Sequence, residues 1–395
     1  MQAKKISERI TWMGAVDWNR RLFDSLIPLP EGTSYNAYLL RGSERCALID
    51  TVDPAKSDLL MAQLANVEKI DFIVSQHSEQ DHAGTIPLVM EKYPQAKVLC
   101  SDKARDMLID HLHLDPERIQ AVADGDIISL GDRSLRFVYT PWVHWPETMC
   151  TFCEEEGILF SCDLFGSHIA TSALYAEENP QVELAAKRYY AEIMMPFRSF
   201  IKKHLDKIQT LNFSMIAPSH GPVYNKPDFI LNAYKNWISN DVANKVVIPY
   251  ISMHGSTEAM VTHLVSALDA RGIEVHPFDL SVTDIGELAM ALVDAATIVI
   301  GTPTVLFGPH PLVFSATHLA NALRPKLRFA AIIGSYGWGT KAAEQLTELI
   351  PHLKVDVLGV VMCKGFPREE DIKNLDTLAQ NILEQHRGLE KAVAE

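Results

Sequence analysis

The apolar positions in the first half of the chain fall into short runs that end at turns or polar residues. Runs of this length, made of apolar and β-favouring residues, are typical of strands. The strand candidates are NAYLLRG, CALID, DFIVSQ (71–76), KVLCS (97–101), LRFVYT (135–140), ILFSCD (158–163) and MIAPSHG (215–221). Two helices are also predicted, one from near Thr85 to before Pro94 and one around Asp228 to Ser239.

The second half has a more regular pattern. A short polar linker, DVANK (241–245), is followed by five apolar strand candidates separated by helical segments: VVIPYIS, EVHPFDL, TIVIGT, RFAAIIGS and VDVLGVV. Strands that alternate with helices in this way predict a doubly wound, five-stranded parallel sheet. The change of pattern places a domain boundary near residue 243, which gives domains 1–243 and 244–395.

Composition narrows the range of partners. The chain has 395 residues, enough for two domains with full cores, and a formal net charge of −14. An acidic surface argues against unspecific binding to nucleic acid or to anionic membranes, since both are polyanions. Because no apolar run is long enough to span a bilayer and the N-terminal segment lacks signal-peptide features, we expect a cytoplasmic protein.

The cysteines give only a weak metal signal. Of the six, Cys150 and Cys153 alone form a CxxC motif, in a segment that is predicted to be a strand. Residues three apart on a strand point to opposite faces, so the pair is a poor zinc site. No rubredoxin-like pair of CxxC motifs is present.

The segment SQHSEQDHAGT (75–85) concentrates metal-binding side chains directly after a strand candidate. Three further candidates also lie at predicted strand ends, in TPWVHWPET, FSCDLFG and APSHGP. Four imidazoles and three carboxylates suit two metal ions that share a bridging carboxylate and keep open positions for small ligands. The seven predicted ligands are His77, Glu79, Asp81, His82, His144, Asp163 and His220. His168, five positions after Asp163, is predicted to be a hydrogen-bond partner of a ligand. Asp50, which closes the strand CALID, is predicted either to orient a ligand loop or to be an ordinary polar turn residue.

These segments resemble the metallo-β-lactamase superfamily, an αββα sandwich with its dinuclear site at one edge of the sheets. The zinc hydrolases of that superfamily usually have HxHxDH, whereas HxExDH with HWP, CDxFG and PSHG resembles the flavodiiron proteins. The resemblance implies that His77, Glu79, His144 and Asp163 hold one iron. It implies that Asp81, His82 and His220 hold the other, with Asp163 bridging. Replacing an imidazole by a carboxylate makes the site harder and favours iron.

Three small-residue loops are predicted at strand ends of the second domain. SMHGST (252–257) precedes a helix, and backbone N–H groups at such a helix start bind phosphate. It resembles the phosphate loop of flavodoxins, while GTPT (301–304) and GSYGWG (334–339) resemble the loops around an FMN ring. The predicted FMN contacts are Ser252, Met253, His254, Gly255, Ser256, Thr257, Thr302, Pro303, Thr304, Ser335, Tyr336, Gly337, Trp338 and Gly339. Val305, Leu306 and Phe307 stand where flavodiiron proteins often have an asparagine.

The resemblance implies an oxidoreductase that reduces O2 to water, or NO to nitrous oxide, with electrons entering through FMN. The donor would be external, such as a rubredoxin or a reduced deazaflavin. A head-to-tail homodimer, alone or as a dimer of dimers, would bring the FMN of one subunit to the iron site of the other, with Trp338 near the junction. Alternatives are a zinc hydrolase, which Glu79 argues against, an oxidase of reduced deazaflavin, and a flavin redox module without enzymatic activity.

Overall fold

The structure, a computed structural model, describes residues 2–394, with side chains described up to residue 389. The chain divides into two compact units. The first runs to Tyr190 and resumes over Phe197–Ile238, and the second comprises Ala191–Pro196 and the residues from Ser239 onward. Each unit has its own hydrophobic core. Within residues 2–394 no helix combines the length and apolar character needed to cross a bilayer.

The first unit is built from short strands and seven α-helices within the described residues. Its strands are β1 Lys4–Lys5, β2 Ile10–Trp12, β3 Ala15–Asp17, β4 Leu22–Phe23, β5 Ile27–Pro28, β6 Thr33–Tyr35, β7 Tyr38–Arg41, β8 Cys46–Ile49, β9 Phe72–Val74, β10 Lys97–Ser101, β11 Ile119–Val122, β12 Ile127–Ser129, β13 Ser134–Tyr139, β14 Met149–Cys153, β15 Ile158–Cys162 and β16 Met215–Pro218. Its helices are α1 Ser57–Gln63, α2 Gln80–Ala83, α3 Ile86–Lys92, α4 Asp102–Leu112, α5 Pro180–Tyr189, α6 Arg198–Ile208 and α7 Pro227–Ile238.

Two sheets face each other in this unit. One has the strand order β1-β2-β7-β8-β9-β10-β11 and the other the order β12-β13-β14-β15-β16. Apolar residues of both sheets, such as Ile49 and Leu99 from the first and Phe137 and Phe160 from the second, form the core between them. Helices α1, α3 and α4 cover the outer face of the first sheet through a second core. The predicted αββα sandwich is confirmed.

The second unit is a doubly wound sheet. Its strands are β17 Ala243–Tyr250, β18 Glu274–Asp279, β19 Ala295–Val305, β20 Gly308–Pro309, β21 Phe329–Tyr336 and β22 Asp356–Lys364, and its helices are α8 Ser256–Asp269, α9 Ile285–Leu292, α10 Pro311–Leu323, α11 Ala342–Glu348 and α12 Glu369–Ala394. The order β18-β17-β19-β21-β22 is parallel throughout, with β20 paired antiparallel to β19. This order is that of flavodoxin-like sheets, and the predicted fold is confirmed.

Two local predictions are wrong. Strand β17 begins at Ala243, so the last three residues of the predicted DVANK linker are strand. The charge of Lys245 is accommodated in this strand by an ion pair, with its Nζ 3.0 Å from Asp294 Oδ1. Residues 301–304 continue β19 rather than forming a loop, because Thr302 and Pro303 pair in register with β21 and Thr304 pairs with β20. The domain boundary at residue 243 stays a prediction.

Candidate functional site

Four of the predicted ligands, His77, Glu79, Asp81 and His82, lie on the segment that follows the carboxyl end of β9, a central strand of the seven-stranded sheet. Asp50, at the end of β8, accepts hydrogen bonds from Gln76 N and Gln76 Nε2, both at 2.8 Å, and so fixes the backbone just before His77. Glu79 remains extended and precedes the single turn of α2. Asp81 and His82 therefore lie on a helical turn, while His77 and Glu79 lie on the extended segment before it.

The other three predicted ligands come from the five-stranded sheet. His144 lies between β13 and β14, Asp163 directly follows β15, and His220 lies two residues beyond β16. Because β15 and β16 are parallel neighbours, their carboxyl ends bring Asp163 and His220 together. Gly221 follows with a φ of +79°, and a Cβ there would lie 2.0 Å from Ser167 Oγ. Only glycine fits at position 221, directly after His220.

The seven side chains form two groups, and Asp163 faces both. Its Oδ2 lies 3.5 Å from His77 Nε2 and 3.2 Å from His144 Nε2. Its Oδ1 lies 3.1 Å from His82 Nε2 and 3.4 Å from His220 Nε2. One carboxylate thus presents one oxygen to each histidine pair, which is the geometry of a bridging ligand. The groups are His77, Glu79, His144 and Asp163, and Asp81, His82 and His220.

Each group has a carboxylate of its own. Glu79 Oε2 lies 3.0 Å from His77 Nε2 and 3.1 Å from His144 Nε2. In the other group, Asp81 Oδ1 lies 3.3 Å from His82 Nε2 and Asp81 Oδ2 lies 3.2 Å from His220 Nε2. With Asp163 counted on both sides, each group offers two imidazoles and two carboxylates.

Burial and charge act against each other in this cluster. Burial by itself lowers the pKa of His220, but the facing carboxylates of Asp163 and Asp81 outweigh it and raise that pKa to about 10. Burial raises the pKa of the Asp163 carboxyl, but His82, His144 and His220 outweigh it and hold the pKa well below its usual range. Without metal, protons on the imidazoles therefore balance the charge of the carboxylates. Bound metal ions would take over this role and displace the protons.

Buried atoms without partners fit a metal centre. Both carboxylate oxygens of Asp81 and of Asp163, together with His82 Nε2, are buried, and their contacts within the cluster lack the geometry of hydrogen bonds. Leaving buried polar atoms unsatisfied costs about 1–3 kcal/mol each, more when they are charged. Metal–ligand bonds would satisfy all five atoms at once, and nitrogen and oxygen donors with open positions suit non-haem iron.

The predicted phosphate loop lies between β17 and α8. Gly255 is the residue before α8, with a φ of +80° and open space around the position of a Cβ. It has no side chain to cap α8, and Ser252 Oγ accepts from Glu258 N at 3.2 Å. Ser256 and Thr257 form the first turn, so their N–H groups lack partners within the helix and suit an anion. Thr257 Oγ1 lies 3.2 Å from Ser335 Oγ, which joins this turn to the end of β21.

The remaining predicted flavin contacts gather at the same edge of the sheet, because β17, β19 and β21 are parallel neighbours. Thr302, Pro303 and Thr304 lie in β19, Ser335 and Tyr336 end β21, and Gly337, Trp338 and Gly339 form the loop that follows. Small polar side chains line the edge, while Met253 and Trp338 are exposed beside it. A phosphate at a helix start next to apolar side chains fits a flavin nucleotide.

The segment that departs from the flavodiiron pattern is a two-residue hairpin turn between β19 and β20. Leu306 and Phe307 occupy it with φ values of 49° and 67°, in the left-handed region that turns of this kind require and that favours asparagine and glycine. Lys341 N donates to Phe307 O at 2.6 Å and holds the turn against the loop after β21. Leu306 is 95% exposed at its tip.

The chain is similar to characterised proteins over nearly its whole length. A family model described as ODP family beta lactamase matches residues 33–221. A nitric oxide reductase of Moorella thermoacetica is 38% identical, with 96% of this chain and 98% of the relative covered. A coenzyme F420H2 oxidase of Methanothermobacter marburgensis is 33% identical, with 90% and 91% covered.

Solved structures agree. The rubredoxin oxygen:oxidoreductase of Desulfovibrio gigas is 31% identical, with a TM-score of 0.94 and coverage of 98% of this chain and 99% of that one. A flavodiiron protein of Giardia intestinalis is 26% identical, with a TM-score of 0.91 and 98% of each chain covered. The chain belongs to the flavodiiron protein family. This membership agrees with the resemblance inferred from HxExDH and the flavodoxin-like segments.

The resemblance to flavodiiron proteins did not point to Glu147. This carboxylate is 2% exposed, and its Oε1 accepts from His77 Nδ1 at 2.7 Å. Burial raises the pKa of Glu147, but hydrogen bonds from His77 and Ser78 outweigh it and lower the pKa to about 2. Its position three residues after His144 was the only available signal, and glutamate in a polar loop is too common to stand out.

The two predicted supporting residues of this flavodiiron chain differ in outcome. Asp50 is confirmed as a support for the ligand loops, because it also accepts from Ser219 Oγ at 3.3 Å, next to His220. His168 contacts His220 through its ring, with centroids 4.8 Å apart, while its Nδ1 bonds Thr33 Oγ1 at 2.8 Å. The expected hydrogen bond from His168 to a ligand is therefore replaced by ring packing.

The cysteines of the described part are all free. Cys150 and Cys153 are both buried in β14, and burial raises the pKa of each thiol to about 12. Among the described residues neither belongs to a cluster able to hold a metal. Nothing in their surroundings favours a thiolate, so the CxxC motif has the environment of a structural pair.

Proposed function

We propose that this flavodiiron protein is an oxidoreductase that reduces O2 to water, or NO to nitrous oxide, at a di-iron centre with electrons delivered through FMN. The observation that carries the proposal is the bridging geometry of Asp163 between two histidine pairs, in a chain whose second unit has the flavodoxin strand order. The names of its relatives, a nitric oxide reductase and a rubredoxin oxygen:oxidoreductase, support the same chemistry.

The proposed ligands divide as the structure groups them. His77, Glu79, His144 and Asp163 hold one iron, and Asp81, His82, His220 and Asp163 hold the other. A di-iron centre supplies open coordination positions for small diatomic molecules and stores two electrons.

Residues around the cluster fix the orientation of His77 and His220. His77 is fully buried, and its Nδ1 holds a proton toward Glu147, which leaves Nε2 as the atom that faces the metal position. His220 does the same through Nδ1, which donates to Ser34 O at 2.7 Å. Ligand orientation is therefore set before any metal binds, and this lowers the cost of assembling the centre.

FMN would bind at the edge formed by β17, β19 and β21. The first turn of α8 would receive the phosphate with the N–H groups of Ser256 and Thr257, where the helix dipole favours an anion. The exposed indole of Trp338 and the side chain of Met253 would cover the ring system. Apart from the exposed imidazole of His254 and the indole N–H of Trp338, the polar side chains among the predicted contacts carry hydroxyls, so most ring contacts would come from backbone atoms and apolar surface.

The electron donor is external in this proposal. The name of the Desulfovibrio gigas protein, a rubredoxin oxygen:oxidoreductase, supports a separate rubredoxin-type donor. The similarity to a coenzyme F420H2 oxidase favours one alternative, direct reduction by a reduced deazaflavin. The free buried thiols are in keeping with the cytoplasmic location that forms part of the same proposal.

A head-to-tail homodimer, or a dimer of two such dimers, is also part of the proposal. It would bring the FMN of one subunit to the iron centre of the other, with Trp338, 85% exposed, near the junction. Sedimentation of the FMN-loaded and iron-loaded chain together with turnover measurements tests this. A monomer with full turnover would contradict it.

The activity itself is tested on protein prepared without oxygen. Iron, zinc and FMN per chain are measured first, and two irons and one FMN are expected. O2 and NO consumption are then recorded with a reduced rubredoxin and with a reduced deazaflavin as donors. Stoichiometric zinc without iron would overturn the proposal, and bound flavin without consumption of either gas would leave only an electron carrier.

A further inference from the structure

Glu147 connects two of the three segments that supply the group His77, Glu79, His144 and Asp163. Its Oε1 accepts from His77 Nδ1 at 2.7 Å, from Ser78 Oγ at 2.6 Å and from Ser78 N at 3.1 Å. It also lies three residues after His144 in the chain. One buried carboxylate thus joins the HxExDH loop to the HWP loop.

The backbone of Glu147 is itself held in place. Ser101 Oγ donates to Glu147 O at 2.7 Å, and two residues later Met149 N donates to Gln76 O at 3.0 Å. The backbone that carries this carboxylate is therefore tied to β10 and to the segment that precedes His77. The hydrogen bond from Glu147 to His77 starts from a restrained backbone.

The opposite group has no such carboxylate behind its corresponding histidine. His220 Nδ1 donates to the neutral carbonyl oxygen of Ser34. Since each group, with the shared Asp163, offers two imidazoles and two carboxylates, the donor atoms alone would make the two metal positions equivalent. A carboxylate hydrogen-bonded directly to a ligand ring distinguishes the group of His77, because Asp50, the buried carboxyl that interacts with His82, accepts its hydrogen bonds from Gln76 and Ser219 instead.

We propose that Glu147 is a positioning residue that makes the two irons of the proposed centre unequal, a role that rests on the function proposed above. An imidazole that donates to a carboxylate is a stronger metal ligand than one that donates to a carbonyl. The iron held by His77, Glu79 and His144 is therefore bound more tightly. The iron held by Asp81, His82 and His220 is the one that exchanges first.

The test is release of Fe2+ from the anaerobic, FMN-loaded chain to a chelator, with Mössbauer spectra of the protein enriched in 57Fe. The wild type should lose its irons in two phases. The Glu147→Gln variant keeps the shape of the side chain and an oxygen acceptor but removes the charge. Its slow phase should accelerate by about 10–100-fold, the range typical of lost outer partners, and the fast phase should not change.

A Ser78→Ala variant is the matched control, because it removes one hydrogen bond to Glu147 and leaves the His77 contact in place. It should release iron nearly as the wild type does. Glu147→Asp retains the charge with a shorter reach, so a slow phase between those of wild type and Glu147→Gln is expected. FMN content and thermal unfolding of the metal-free variants report whether the fold is intact.

The outcomes separate this inference from the proposed function. If wild type binds no stoichiometric iron, the proposed function fails. If wild type binds two irons but releases them in one phase, or if Glu147→Gln leaves both phases unchanged, the role of Glu147 is wrong while the function stands. If Ser78→Ala accelerated the slow phase of iron release as much as Glu147→Gln does, the role of Glu147 would also be wrong. The acceleration would then come from disturbing the loop and not from removing the charge.

Discussion

The metal cluster and the flavin edge are built in opposite ways. The cluster consists of seven side chains from four segments, most of them buried. His77 is fixed by Glu147 and His220 by Ser34, while Asp50 holds the backbone before His77. The flavin edge consists of strand ends and one helix start, with small hydroxyl side chains and exposed apolar residues. Side-chain identity makes the first site, and backbone geometry makes the second.

This difference predicts how each site tolerates substitution. A ligand side chain cannot be replaced without losing a bond, whereas a backbone N–H survives most substitutions of the residue that carries it. Damage at the cluster should therefore come from removing a side chain. Damage at the flavin edge should come from adding charge or bulk.

The largest effect is expected from Asp163→Ala, because Asp163 alone faces both histidine pairs. Iron binding and gas consumption should fall by more than about 100-fold, the upper range for losing an outer partner, while the flavin spectrum stays intact. Metal analysis measures the loss of iron, and an oxygen electrode measures the loss of O2 consumption. Asp163→Asn, which keeps one oxygen, should retain more iron, and full iron with full activity in the alanine variant would contradict the bridging role.

A charge at the start of α8 should give the next largest effect. Ser256→Glu places a carboxylate where the FMN phosphate is proposed to bind, and like-charge juxtaposition costs several kcal/mol, or about 100-fold or more in affinity. Fluorescence titration of the flavin-free protein with FMN measures this, with Ser266→Glu, farther along α8 and exposed, as the control. Iron content should be unaffected; a loss of iron instead of FMN would show that the two sites are not independent.

The same contrast explains what the sequence could predict. HxExDH and the segments around His144, Asp163 and His220 predict the ligands by residue type. The structure brings these seven side chains together in the two groups that the resemblance implied. The loops predicted to contact FMN at 252–257 and 334–339 lie at the carboxyl ends of β17 and β21, whereas residues 301–304, predicted as a loop, are strand. Their continuation of β19 depends on pairing with β21, a long-range contact that no local pattern contains.

The supports of the cluster show where sequence reasoning ends. Asp50 could be suggested because it closes a strand next to a ligand loop. Glu147 could not, because its role depends on a 2.7 Å contact with a residue 70 positions away. Second partners of ligands are chosen by geometry, and their residue types are shared with ordinary polar loops.

The smallest expected effect is the pH dependence of the free energy of unfolding, and it arises from the metal cluster alone. In the metal-free chain the pKa of His220 is raised to about 10, above its usual value of 6.5. Protonated His220 therefore stabilises the fold fully below pH 6.5, and this contribution is lost as the pH rises through about 10. Since one pKa unit corresponds to 1.36 kcal/mol, we expect a decline of at least about 1 kcal/mol between pH 6.5 and 9.

Urea unfolding of metal-free and iron-loaded protein, followed by tryptophan fluorescence, measures that decline. The loaded protein should not share it, because a metal-bound imidazole nitrogen carries no proton. A metal-free chain whose free energy of unfolding is flat over this range would contradict the electrostatic account of the cluster.

The buried thiols have a consequence for durability. Burial raises the pKa of Cys46 to about 11 and that of Cys100 to about 12, and it acts in the same direction on the other cysteines of the described part. Oxidation begins from the thiolate, so a protein whose substrate is an oxidant carries almost no thiol in the form that peroxide or nitrosating species attack. Slow oxidation of these thiols is the expected consequence.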